Sequence, residues 1–244
     1  MKFESSESGA VIDYLHAPSP RLQNLGSPKI LTAKATTPRI ARSEILTRID
    51  PQPALPTFLL IGAQRCGTSP LSRMIGQHPE VATARRKEVH YFNKEVNYRQ
   101  GLSRYQSQFI IPATARAVGE FTPNYFWTTD DDFEIEESGM CRNIPEKVFH
   151  ALPEVKLVLC LRNPVDRAVS AYYHLMKHGY FSPRQGFSEV WKNRGILTMG
   201  YYDIHLAHWL EHFPMQSFLV LIYEEDLVDQ QKAATLERIF RHIG

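Results

Sequence analysis

Residues Gly62 to Ser69 (Gly-Ala-Gln-Arg-Cys-Gly-Thr-Ser) place two glycines, a cation and two hydroxyls directly after the apolar run Thr57 to Ile61. A glycine turn between a buried strand and a helix aims several backbone N–H groups and the positive end of the helix dipole at one point, which is chemistry for a bound phosphate or sulfate. The helix is predicted from Leu71, Met74 and Ile75 at helical spacing, with Pro70 in its first turn and His78-Pro79 as its stop. A second run of this kind, Lys156 to Leu161, feeds Arg162-Asn163-Pro164 and then a helical stretch to His174. Arg162 falls at the strand's carboxyl end, where open α/β sheets bind ligands, and Ser170 lies two turns along the helix, able to add a hydroxyl to the same anion. Val165, Val169, Tyr172, Tyr173 and Met176 are the expected core face of that helix.

Gly62 and Gly67 have the separation of a Walker A loop, and Ser69 takes its hydroxyl position, but Thr68 stands where that loop needs lysine. Without the ammonium that reaches the β and γ phosphates, a nucleoside-triphosphate kinase is the weaker reading. Cys66 inside the loop is read as a small filler, although a helix N-terminus can lower a thiol pKa. Asp130-Asp131-Asp132 lacks the spacing of a Ca²⁺ loop and is read as an exposed loop, with no metal expected. Arg85-Arg86-Lys87 is either a solvated basic face or a contact for an anionic acceptor.

The elements that must hold these residues are those of an ordinary globular chain of 244 residues, 43% hydrophobic and 22% charged. Lys plus Arg number 28 and Asp plus Glu 26, so the formal charge of +2 points away from a general nucleic-acid binder and toward a local anion pocket. Cys66, Cys141 and Cys160 form no CxxC pair, which speaks against a disulfide framework or a structural zinc site. Seven of the 16 prolines fall within residues 1–56, which read as a flexible or extended N-terminal segment. No secretory signal or run of about 18 apolar residues is present, so a cytoplasmic location is expected. Buried strands at 57–61, 156–161 and 218–223, each followed by a loop and a helix, predict an α/β fold with a central, mainly parallel sheet. Tyr202 to Phe213 is predicted as a helix burying Leu206, Trp209 and Leu210, and Ala233 to His242 as a further helix.

Taken together, Gly62–Leu71 (GAQRCGTSPL) and Leu161–His174 (LRNPVDRAVSAYYH) resemble the 5′-phosphosulfate loop and the 3′-phosphate motif of sulfotransferases that use 3′-phosphoadenosine 5′-phosphosulfate (PAPS). The resemblance is to their carbohydrate and bacterial-type branch, related to heparan sulfate sulfotransferases. Lys87 to Phe92, Gly119 to Tyr125 and the stretch from Gly200 to Leu227 extend it, so that it spans about residues 57–244. It implies a three-layer, P-loop-like domain in which Gln64, Arg65, Cys66, Gly67, Thr68 and Ser69 cradle the 5′-phosphosulfate while Arg162 and Ser170 hold the 3′-phosphate. Arg65 stands where most members have lysine and, with the loop amides, would stabilise the leaving group. Glu88 matches the family's general base, and His90 is its rival, expected two residues along a strand and on the same face. Glu120 matches a family glutamate, with Phe121 where heparan sulfate enzymes commonly carry lysine.

The implied reaction is transfer of a sulfuryl group from PAPS to a hydroxyl or amine of a carbohydrate, lipid or small-molecule acceptor, leaving 3′,5′-diphosphoadenosine (PAP), with no metal and no nucleic-acid partner. Family members continue beyond the position matching Gly244, so the domain is expected to be shortened at its C-terminus. A nucleotide kinase and a non-catalytic nucleotide-binding remnant are the alternatives.

Overall fold

The chain's structure is a computed structural model that describes residues 55–129, 135–136 and 139–244. The expected N-terminal segment, except for its last two residues, and the Asp130-Asp131-Asp132 run lie outside the described residues. Phe58–Gly62 (β1), Val81–Thr83 (β2), Ala117–Phe121 (β3), Lys156–Leu161 (β4) and Phe218–Ile222 (β5) form one sheet in the order β2-β3-β1-β4-β5, with every neighbouring pair parallel. The helices that flank it are α1 (Thr68–Gly76), α2 (Glu95–Tyr98), α3 (Leu102–Gln106), α4 (Ile144–Ala151), α5 (Pro164–Lys177), α6 (Phe187–Val190), α7 (Tyr202–Leu210), α8 (Tyr223–Asp226) and α9 (Lys232–Ile243). The expected α/β sheet is met, and each of the three predicted strands falls within one residue of its place.

The sheet forms where it does because its middle strands are apolar on both faces. Phe58 to Ile61 in β1 and Leu157 to Cys160 in β4 are 0% exposed, the pattern of parallel strands covered from two sides. Gly119 of β3 lies opposite Phe58 in the register. A Cβ there would sit 2.2 Å from the Phe58 ring, so the close fit of the two strands requires glycine. With β3, β1 and β4 adjacent, their carboxyl ends deliver three loops, after Phe121, Gly62 and Leu161, to one edge of the molecule.

Two helices turn differently from the sequence-based expectation. In α5 the buried residues are Arg167, Ala168, Ala171 and Leu175, whereas Val165, Val169 and Tyr173 are exposed. Small Ala168 and Ala171 give the face that approaches closely, while Tyr172 and Met176 pack beside a smaller cluster around Leu175, Phe181, Val190 and Ile196. In α7 the buried pair is His205 and Trp209, one turn apart, which leaves Leu206 partly buried and turns Leu210 outward. Phe213 is buried beyond the end of that helix rather than on it. No helix among the described residues is long and apolar enough to cross a membrane.

Candidate active site

The loop between β1 and α1 is shaped by two left-handed residues, Arg65 (φ 69°) and Gly67 (φ 79°). At Gly67 a side chain is excluded twice, by that φ and by contact, since a Cβ would lie 2.6 Å from Leu227 Cδ1 and 2.8 Å from the Tyr223 ring. Gly67 is also the N-cap of α1 and brings no capping side chain. The first-turn N–H groups, which have no acceptor inside the helix, therefore face the loop with the positive end of the dipole behind them. An anion is the natural complement.

Arg65 and Arg162 lie around this point. Arg65 Nε donates to Ser170 Oγ at 3.1 Å, and its Nη1 is 3.3 Å from His174 Nδ1. Burial, and next the Arg65 charge, lower the His174 pKa, so the imidazole is neutral at pH 7 and can accept that bond. Arg162 Nη1 donates to the Arg65 carbonyl at 3.5 Å, and its guanidinium lies 4.8 Å from the Tyr223 ring centroid. The Arg162 Nε is buried without a hydrogen-bond partner among the described residues. Burial first, and then Arg162, push the Arg65 pKa down. Two guanidinium groups that repel each other beside an uncapped helix and an unused buried donor fit a ligand with more than one negative charge. Tyr202 fixes the arrangement from α7: its hydroxyl donates to the Arg162 carbonyl at 3.0 Å and lies 3.5 Å from Cys66 Sγ. Cys66 is fully buried in the loop, and that burial pushes its thiol pKa up.

Glu88 is joined to Ser69 of α1 through Lys87. The strand expected to carry Glu88 and His90 is not formed: both residues are left-handed, with φ of 61° and 57°. They meet through that tight path, His90 Nε2 lying 3.5 Å from Glu88 Oε2. The segment is anchored by Glu88 N to the Phe121 carbonyl at 3.1 Å and by His90 N to Thr122 Oγ1 at 3.5 Å. Lys87 reaches both sides, with Nζ 2.8 Å from Ser69 Oγ and 2.9 Å from Glu88 Oε1. The nearby His90 ring, and then Lys87, hold the Glu88 carboxyl down to about 2 against the opposing effect of burial. A cleft of about 260 Å³ opens beside it, lined by Gln64, His90, Asn124, Trp127, His174 and Leu175 among others. Gln64 Nε2 donates to Asn124 Oδ1 at 3.5 Å and closes the cleft's loop side.

Glu120 is elsewhere. Its side chain is 0% exposed and accepts from Tyr105, from Thr122 Oγ1 at 2.6 Å and from Tyr125 Oη at 2.8 Å. Tyr125 Oη in turn accepts from the backbone N–H of Tyr91 at 2.9 Å and of Phe92 at 3.4 Å. Burial raises the Glu120 pKa, and the three hydroxyl donors pull it back. This carboxyl is a buttress under the Glu88 segment. Glu120→Ala would orphan buried hydroxyls at about 1–3 kcal/mol each, so urea unfolding should show a loss of about 3 kcal/mol or more. Glu120→Gln, which keeps an acceptor oxygen, should lose distinctly less.

Of the residues singled out by sequence, Gln64, Arg65, Cys66, Gly67, Thr68, Ser69, Arg162 and Ser170 come together at the carboxyl ends of β1 and β4, and Glu88 joins them through Lys87. All three residues of the basic run are exposed, and Lys87 also reaches Ser69 and Glu88. His174, Asn124, Tyr202 and Tyr223 were not legible as site residues. All four stand inside stretches that carry the resemblance, Asn124 in Gly119–Tyr125, His174 in Leu161–His174 and the two tyrosines in Gly200–Leu227, but no spacing set them apart there.

The family model described as the sulfotransferase domain matches residues 55–244. Human bifunctional heparan sulfate N-deacetylase/N-sulfotransferase 2 is 28% identical over 211 residues, covering 78% of this chain and 22% of that protein. Human heparan sulfate glucosamine 3-O-sulfotransferase 6 is 30% identical over 181 residues, covering 71% of this chain and 48% of that protein. The chain thus spans between about a fifth and a half of the length of these curated relatives. Among solved structures, a sulfotransferase from Alicyclobacillus acidocaldarius is similar at a TM-score of 0.63 and 24% identity, covering 78% of this chain and 81% of that one. The sulfotransferase domain from the curacin biosynthetic pathway is similar at a TM-score of 0.51 and 13% identity, covering 78% and 74%. These two likenesses are of fold.

Proposed function

This chain belongs to the sulfotransferase domain family, and from that premise we propose that it transfers a sulfuryl group from PAPS to a hydroxyl or amine of an acceptor seated in the cleft beside Glu88. The observation that carries this reading is that Arg162, from the end of β4, meets the Arg65 loop, from the end of β1, next to the uncapped start of α1, while Lys87 joins Ser69 of that helix to the Glu88 carboxylate.

The site suits a donor with negative charge at two places. The first-turn amides of α1 with Thr68 and Ser69 would take the 5′ end, and Arg162 with Ser170 the 3′-phosphate. The donor supplies the activated sulfuryl group. Glu88 would take the acceptor's proton as sulfur passes from the bridging phosphate oxygen to the acceptor atom, and the loop amides would take up the charge that grows on that oxygen. Preorganised donors in a fixed loop do this without reorganising at the moment of transfer. Thr68, buried and uncharged where a kinase loop needs its lysine, gives no support to triphosphate chemistry.

Calorimetry with PAP, adenosine 5′-phosphosulfate and ATP tests the donor. PAP should bind tightest, and tighter binding of ATP would overturn the reading. Transfer of radiolabelled sulfate from PAPS to a panel of sugars, aromatic alcohols, sterols and amines tests the acceptor; no transfer to any of them, with PAP bound, would leave a nucleotide-binding protein without this activity.

A further inference from the structure

Arg65 carries the loop's charge, yet its guanidinium is engaged by Ser170 and His174, on the side of the second motif. The cation that reaches the first turn of α1 is Lys87, held between Ser69 Oγ and Glu88 Oε1 at 2.8 and 2.9 Å. It stands at the junction of the two halves of the proposed reaction, and its side chain is 36% exposed, so it is free to turn.

One ammonium cannot neutralise two partners fully. An anion received by the first turn of α1 comes to rest against Ser69 and therefore competes with Glu88 for Lys87. We propose that Lys87 is a cation shared between donor and base: it pairs with Glu88 in the free enzyme and turns to the 5′ anion once the donor is seated, so that Glu88 gains basicity only in the donor-loaded enzyme. The inference rests on the reading of the site as a sulfotransferase centre. It assigns to Lys87 the charge at the reacting end of the donor, where the sequence had pointed to Arg65, and it makes donor binding precede acceptor deprotonation.

The other groups around Glu88 do not substitute for Lys87. His90 holds the second carboxylate oxygen. His174, on α5, also faces it, and Lys94 and Arg194 line the same cleft. Arg86 and Arg104 lie with Glu88 along a neighbouring groove. Among the described residues, Lys87 is the one that touches both the carboxylate and Ser69. The low Glu88 pKa in the free enzyme is due to His90 and then to Lys87, so loosening the Lys87 contact lifts part of the restraint on the base and leaves the His90 part in place.

The test is a carboxyl NMR titration of the full chain, wild type and Lys87→Met, with and without saturating PAP, the Glu88 signal being assigned with Glu88→Gln and saturation checked by calorimetry. Binding of PAP should raise the Glu88 midpoint by about one pH unit or more in the wild type. In Lys87→Met the free-enzyme midpoint should already be higher, and PAP should move it by less than half as much. Lys87→Arg should keep most of the wild-type response. An equal rise in wild type and Lys87→Met, which direct repulsion by the phosphate would give, or no rise in the wild type with PAP bound, overturns the sharing of Lys87. Failure of PAP to bind the wild type overturns the donor reading beneath it, and calorimetry alone identifies that case.

Discussion

Glu88→Gln should lower sulfuryl transfer by about 10²–10⁴-fold, the usual contribution of a positioned general base, while the affinity for PAP changes less than about threefold. The substitution is nearly isosteric. The glutamine oxygen can still accept from Lys87 Nζ, now 2.9 Å from Glu88 Oε1, and the backbone at φ 61° imposes the same strain on both residues. What disappears is the capacity to take a proton. Because the carboxyl is held down to about 2 in the free enzyme by His90 and then Lys87, it is ionised across the neutral range, and the loss should be flat between about pH 6 and 9. A side chain more than a third exposed contributes little to folding through such a pair, so the thermal midpoint should barely move. Steady-state kinetics with PAPS and the best acceptor from the panel decide the matter. If His90 is the base instead, Glu88→Gln keeps most of the activity and His90→Asn loses it.

The fold was legible because its central strands are apolar runs of strand length, bounded by glycine on one side and Arg-Asn-Pro on the other. Phe58 to Ile61 and Leu157 to Cys160 admit few other placements once each is followed by a loop and a helical period. The turn between β1 and α1 was legible for the same reason, since the spacing of Gly62 and Gly67 has a backbone meaning. The orientation of side chains inside the site was not. Arg65 meets Ser170 and His174 across 105 and 109 positions of sequence, and no local pattern signals which neighbouring element a flexible cation will face. Lys87 reaches Ser69 because Glu88 and His90 are left-handed, a conformation that glutamate and histidine rarely adopt and that the Glu120, Tyr125 and Thr122 contacts impose from below. The helix α5 misled for another reason. Its apolar residues cover a broad arc, and the buried face, Ala168, Ala171 and Leu175 with Arg167 donating to the Gly195 and Ile196 carbonyls, lies at one edge of that arc and not at its centre. A buried arginine does not enter a count of apolar spacing.

Arg162→Ala separates the two ends of the donor site. In the structure this guanidinium is held in place by its stack on Tyr223 at 4.8 Å and by the Arg65 carbonyl, and its buried Nε has no protein partner among the described residues. A charge-assisted bond from such a group to a phosphate contributes about 1.5–3 kcal/mol, so its removal should weaken PAP by about 10- to 150-fold. Adenosine 5′-phosphosulfate, which lacks the 3′-phosphate, should lose less than about threefold, because the amides of α1 and Ser69 remain. The wild-type preference for the 3′-phosphorylated ligand should therefore collapse in the variant. Arg162→Lys should recover only part of it, since an ammonium keeps the charge but cannot reproduce the planar fork. Calorimetry on the two ligands with the three proteins gives the answer. Equal weakening of both ligands would mean that Arg162 acts by holding the Arg65 carbonyl and the shape of the loop; retention of the preference would place the 3′-phosphate elsewhere on the edge formed by β1 and β4.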